Sequence, residues 1–170
     1  MHQKTITNCA SRFTRRAALA AATGFGLGFS PFISGTTGAL LGIPLMLCLS
    51  RIWALGVVQQ AICCLVLAMC AVPICGVAEK HFQKKDDRRI VADEYLTFPI
   101  CMIGLPISIP ALGLAFITSR VCDIIKPFPA WRAQKLAGGL GIVADDAISS
   151  LYSLALNHIL FPLIMSWSFA

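Results

Sequence analysis

The chain has 170 residues, 57% of them hydrophobic and 13% charged, with a mean hydropathy of +0.77. One domain of that length carries far more apolar sequence than a soluble core needs, so the composition argues against a soluble enzyme and for an integral membrane protein. The net charge of +6 falls in three blocks, 4–16, 80–89 and 120–135; basic blocks in apolar sequence suit anionic headgroups, and none carries the aromatic platforms of a nucleic-acid module.

In chain order, residues 1–22 read as a basic N-terminal tail and 23–170 as a membrane-embedded domain. Two patterns in the tail mimic known signals. Cys9 to Arg15 has the Cys-x5-Arg spacing of cysteine phosphatases, yet no glycine or preceding strand supplies the backbone cradle that a thiolate needs. Arg15-Arg16 before an alanine-rich run imitates a twin-arginine export signal, but membrane sequence follows where a soluble cargo should.

Uncharged stretches over 17–50, 52–78, 95–119 and 147–170 each exceed the ~20 residues that a helix needs to cross a bilayer. In the first, Gly24-Phe25-Gly26-Leu27-Gly28, Ser30-Pro31 and Ser34-Gly35-Thr36-Thr37-Gly38 are turn formers, which leaves 39–49 as its best helical part. Irregular backbone at membrane depth must be buried in protein or line a polar cavity. The glycine-rich stretch is therefore either part of a site, offering backbone N–H groups to an anion, or a loose connection between interfacial helices.

The third stretch poses a topological problem. As one straight span it would put Asp93-Glu94 and Arg120-Asp123 on opposite faces, although both flanks are rich in Lys and Arg. Pro106 and Pro110 would break such a helix near its middle. The expectation is a helical hairpin, 90–105 going in and 110–125 returning, each limb ~24 Å long at 1.5 Å per residue. The fourth stretch follows Gly138-Gly139-Leu140-Gly141, which is expected to open a helix with Asp145 and Asp146 in its first turns and an N-terminus that favours phosphate.

Five of the eight acidic residues thus fall in three clusters, Asp93-Glu94, Asp123 near Arg120, and Asp145-Asp146. Such groups are costly in apolar surroundings unless they meet a cation, so the acids read as gathered for a metal. Eight cysteines raise zinc or disulfides, but no Cys-x-x-Cys pair occurs and most lie in apolar runs, as small buried thiols do. His158, beside Asn157 on an apolar helix, reads as a core or interface residue.

Ile90-Val-Ala-Asp93-Glu94, Arg120-x-x-Asp123-x-x-Lys126-Pro127-x-Pro129 and Gly138-Gly139-x-Gly141-Ile142-x-x-Asp145-Asp146, with Gly24 to Pro31 and Gly35-Thr36-x-Gly38 upstream, together resemble the phosphatidylglycerophosphatase A family. The resemblance implies an all-α, multi-pass domain in the inner (cytoplasmic) membrane with its site facing the cytoplasm. It implies Mg²⁺-dependent hydrolysis of phosphatidylglycerophosphate to phosphatidylglycerol and phosphate. Asp93, Glu94, Asp123, Asp145 and Asp146 match the family's acidic positions, and Arg120 and Lys126 its basic ones. Departures from the family's usual residues occur at Ser34, Thr97, Gln134 and Ser149-Ser150.

The chemistry of the residues agrees with that class. A phosphate monoester dianion repels nucleophiles, so its hydrolysis needs charge neutralisation and alignment. Carboxylates suit Mg²⁺: Asp93, Glu94, Asp145 and Asp146 are expected to hold one or two ions. Arg120, oriented by Asp123, is expected to fork onto phosphate oxygens, and Lys126 to add a point charge. Backbone at Gly35, Thr36, Gly138 and Gly139 is expected to help bind phosphate. Two alternatives stay open: a phosphatase for another phospholipid such as phosphatidate, and a non-enzymatic membrane protein whose acids line an ion path. The short hairpin helices could pack within one subunit or between two, which leaves a homo-oligomer open.

Overall fold

The computed structural model describes the backbone of residues 2–30 and 34–168 and the side chains of 12–30 and 34–166. Among the described residues the chain is all helical: α1 (His2–Ala22), α2 (Ser34–Cys48), α3 (Ser50–Trp53), α4 (Val57–Phe82), α5 (Ala92–Thr97), α6 (Ile109–Ile125), α7 (Ala130–Ala133) and α8 (Gly139–Ser168). Two helices, α4 and the Gly139–Ser166 part of α8, are long and apolar enough to cross a membrane. They pack on each other, and α6 lies along α8. Only 22% of each span's apolar window is buried, which leaves side chains such as Leu65 and Met69 facing outward; a soluble protein rarely exposes so much contiguous apolar surface.

Residues 2–22 of the basic tail form α1, which lies against α4. Gly24 to Gly28 form the expected turn: Gly24, Phe25 and Gly26 all have positive φ, and a short 3-10 turn, Leu27–Phe29, follows. Pro31 lies outside the described residues. The stretch from Ser34 to Gly38 departs from the expectation. It is the start of α2 and not a loop. Its glycines serve close approach: a Cβ on Gly35 would lie 2.8 Å from both Arg120 Nη1 and Glu94 Oε1, and one on Gly38 would strike Glu94 Oε2.

The segment 90–105 also differs from the helical limb expected for it. Helix α5 runs for six residues and continues as a 3-10 stretch, Phe98–Met102. Pro99 explains the change, since it has no N–H to continue the α-helical ladder and fits the first turn of a new helix. After a turn, Ser108 caps α6 by accepting from Ala111 N at 3.4 Å, and Pro110 sits in its first turn. Helix α6 packs on α2, α8 and the 3-10 stretch, and reaches α5 through the Arg120–Glu94 ion pair.

Of Gly138 and Gly139, both expected to help bind phosphate, Gly138 takes the left-handed backbone with φ 67° and Gly139 has a packing role. A Cβ on Gly139 would strike Val72 O and lie 2.5 Å from Gly76 N, so the missing side chain lets the start of α8 press against the backbone of α4. That contact fixes where α8 begins, and hence where Asp145 and Asp146 point.

Candidate active site

Helices α5, α6 and α8 bring charged residues to one end of the bundle. Helix α5 begins with Ala92, Asp93 and Glu94, so both acids sit in its first turn, where unpaired N–H groups favour negative charge. Helix α6 ends at Lys126, a non-glycine residue in the left-handed region with φ 46°, whose N–H closes on Cys122 O at 2.8 Å. That cap sends the Lys126 side chain back over α8, where Nζ donates to Asp145 Oδ2 at 2.6 Å. Arg120, nearly two turns earlier, donates from Nη2 to Asp123 Oδ2 at 2.9 Å and faces Glu94 Oε2 at 3.7 Å from Nη1. Glu94 Oε2 also accepts from Ala39 N at 3.1 Å, which ties α5 to α2.

These groups line a cavity of about 270 Å³ whose walls include Asp93, Glu94, Arg120, Asp123, Lys126, Asp145 and Asp146. All five expected acids and both expected cations therefore meet there. Ser34 and Gly35 join them from the start of α2, where first-turn N–H groups lack helical partners and suit an anion. Thr36 is exposed and does not line the cavity, and neither do Gly138 and Gly139. The charged loop after α4 supplies two wall residues, Asp86 and Arg88, that a charge run reading as a solvated face conceals. Gln134 donates to Asp86; an acid at that position would repel it.

The electrostatics call for a cation. Asp93 is 6% exposed and its Oδ1 has no hydrogen-bond partner, while Asp145 and Asp146 are buried beside it. Burial pushes the Glu94 carboxyl up to about 9, with the neighbouring Asp93 adding to the rise and Arg120 opposing it. Burial likewise raises Asp93 well above the usual carboxylate range, with Asp86 and Asp145 adding to it. Lys126 loses from burial, but its bond to Asp145 holds it above the ordinary lysine value. The donor set is all carboxylate oxygen, which fits a hard cation such as Mg²⁺. Among the described residues no three acids come together as a ready-made ligand group. A cation here would take a few carboxylates and complete its shell with water or phosphate oxygens, as Mg²⁺ usually does.

Behind the cavity lies a narrow crevice that shares Glu94, Arg120, Asp123 and Asp146 with it and adds Thr97, Ser149 and Ser150. Thr97 is anchored, donating to Asp93 O at 2.7 Å. Ser149 Oγ and Arg120 Nε are buried there without a partner. The described cysteines all carry free thiols.

A family model described as phosphatidylglycerophosphatase A matches residues 20–161. The phosphatidylglycerophosphatase A of Escherichia coli (strain K12) is 32% identical over 137 residues, 78% of this chain and 76% of that protein. A putative phosphatidylinositol-3-phosphatase of Bacteroides thetaiotaomicron is 30% identical over 138 residues, 79% of this chain and 87% of that protein. No solved structure matches the chain.

Proposed function

The chain belongs to the phosphatidylglycerophosphatase A family and so is a phosphoric monoester hydrolase, and from that premise we propose that it converts phosphatidylglycerophosphate to phosphatidylglycerol and phosphate with Mg²⁺. The observation that carries this reading is the single cavity in which five acids face Arg120 and Lys126 at one end of an apolar bundle. A bound Mg²⁺ would neutralise charge on the phosphate and make water a better nucleophile; Asp93, Glu94, Asp145 and Asp146 are the residues that would hold it.

The chain's own groups do the positioning. Arg120, anchored by Asp123, holds non-bridging phosphate oxygens and stabilises the charge spread over them as the ester bond breaks. Lys126 adds a second positive charge at the rim. The oxygen of water bonds to phosphorus, its proton passes to a carboxylate of the cluster, and the departing glycerol oxygen takes up a proton.

The same geometry supports membrane residence. Two long apolar helices with outward-facing apolar side chains support a multi-pass domain, and the segment from α5 to α6 is read as a re-entrant hairpin broken at its prolines. Lys80, Lys84, Lys85, Arg88, Arg89 and Arg132 gather at the cavity end while Arg51 sits near the other, a bias that supports a reading with the cavity on the cytoplasmic side of the inner membrane. The site then lies at headgroup depth, where a lipid can react without leaving the bilayer.

The names of the two relatives agree on a phosphatidyl lipid and differ in headgroup, so the test compares lipids. Purified protein in micelles is given phosphatidylglycerophosphate or phosphatidate, with Mg²⁺ or with chelator, beside an Asp145→Asn variant. Chelator-sensitive phosphate release from the first lipid, lost in the variant, is expected. No release by folded protein would overturn the assigned reaction.

A further inference from the structure

The loop between α4 and α5 carries charges that the mechanism does not use. Lys84, Asp87, Arg88 and Arg89, with Phe29 and Ser30, line a second cavity of about 440 Å³. Arg88 lines both this cavity and the acidic one, so the two adjoin. Their charges are opposite: the first is rich in acids and calls for a cation, whereas the second has three cations against one carboxylate. That carboxylate is already committed, since Asp87 accepts from Arg89 Nε at 2.8 Å and Nη2 at 3.0 Å. Lys84 and Arg88 have no ion-pair partner among the described residues.

The loop is held in place from several sides. Gln83 and Asp86 both adopt left-handed backbone, with φ 52° and 50°, an arrangement that persists in non-glycine residues only where the surroundings over-determine it. Gln134 holds Asp86, Lys85 Nζ donates to Lys135 O at 3.1 Å, and Gly28 presses on Arg89 O. Arg89 also lies over the Phe82 ring at 3.9 Å. Lys84 and Arg88 therefore project from a fixed frame toward a cavity whose one carboxylate, Asp87, is bonded to Arg89.

The geometry points to a subsite for a second phosphate, the phosphodiester of the same lipid whose terminal monoester is hydrolysed next door. This rests on the proposed phosphatase reading and deepens it by naming what selects the substrate. The order of groups along such a lipid matches the order along the protein. Exposed Phe25, Leu27 and Phe29 offer an apolar edge for acyl chains, the basic cavity comes next, Arg88 bridges, and the acidic cavity takes the terminal phosphate. A lipid with a single phosphate fills only one of the two.

The test measures kcat/KM for phosphatidylglycerophosphate and for phosphatidate in non-ionic micelles, where the substrate supplies every phosphate. Wild type is expected to prefer the two-phosphate lipid, and Lys84→Gln and Arg88→Gln each to shrink that preference about tenfold, the loss of one charge-assisted hydrogen bond, chiefly through KM. Arg16→Gln, an exposed charge on α1, and thermal melting of each variant control for surface charge and folding. An equal fall on both lipids, no fall on either, or a wild type without preference would overturn the subsite. So would an effect that appears only after anionic phosphatidylglycerol is added to the micelles, because the phosphate held would then come from a neighbouring lipid. A wild type that hydrolyses neither lipid with Mg²⁺ removes the phosphatase reading itself, a result distinct from all of these.

Discussion

The turn at 102–105 and the acidic cavity lie toward opposite ends of α4 and α8, and both bury polar groups among apolar helices. In and beside the turn, four backbone groups meet side-chain partners. Trp53 Nε1 donates to Met102 O at 3.1 Å, Gln60 Oε1 accepts from Gly104 N at 2.7 Å, Asn157 Nδ2 donates to Cys101 O at 2.9 Å, and His158 Nε2 lies 2.9 Å from Ile103 O. Asn157 Oδ1 in turn accepts from Thr118 Oγ1 at 2.7 Å. At the cavity end the reverse holds: among the described residues, Asp93 Oδ1, Arg120 Nε and Ser149 Oγ are the buried side-chain atoms left without partners. A polar group that only holds a fold together can satisfy itself within the fold, whereas one that acts on a ligand must keep a valence open until the ligand arrives.

That contrast can be broken most sharply at Arg120. Arg120→Lys keeps the charge but loses the planar fork, and is expected to lower kcat/KM for phosphate release about 100-fold. Its melting temperature should stay near that of wild type, because lysine keeps a positive charge beside Asp123 and Glu94 and the lost Nε makes no bond in the unliganded fold. Activity within threefold of wild type would mean that Arg120 does not grip the phosphate.

The opposite result is expected at the turn. Gln60→Ala strips the partners from Gly104 N and from Trp53 O, which accepts from Gln60 Nε2 at 2.9 Å. Leaving those groups unpaired is expected to cost about 1–3 kcal/mol, read as lower thermal stability in detergent, while activity per folded molecule is retained. A loss of activity without loss of stability would tie the turn to the chemistry.

The smallest effect concerns the loop that shapes the second cavity. The Arg89 hydrogen bonds hold the Asp87 carboxyl below its ordinary value of 3.8. An acid shifted down contributes stability above its unfolded pKa, and that contribution is lost as pH falls through the lower native value. Thermal melting of wild type against Asp87→Asn is therefore expected to differ near neutral pH and to converge in acid. Curves that stay parallel across that range would show that the pair does not brace the loop.

The candidate site was largely legible in the sequence, for a simple reason. Asp93, Glu94, Arg120, Asp123, Lys126, Asp145 and Asp146 are charges next to long apolar runs, where each demands a partner, and the cavity that gathers them follows from that demand. Gln60, one of two adjacent glutamines near the start of an apolar helix, carried a weaker version of the same signal. Asp86 and Arg88 were hidden for the opposite reason, because charges within a charged loop look solvated whether or not the loop folds over a cavity. Pro99 gave a local signal for the switch from α to 3-10 geometry, but Pro106 and Pro110 drew the break further along.

Sequence alone determined that this is an apolar helical chain with a cluster of charges to reconcile, since composition, hydrophobic run lengths and proline positions act through local and solvent-transfer energies. Tertiary structure decided which glycines line the cavity and which pack. Gly35 and Gly139 sit in similar glycine-rich strings, yet one yields space to Glu94 and Arg120 and the other to the backbone of α4. A missing side chain has no chemistry of its own to read, and its meaning comes only from the neighbour that occupies the space.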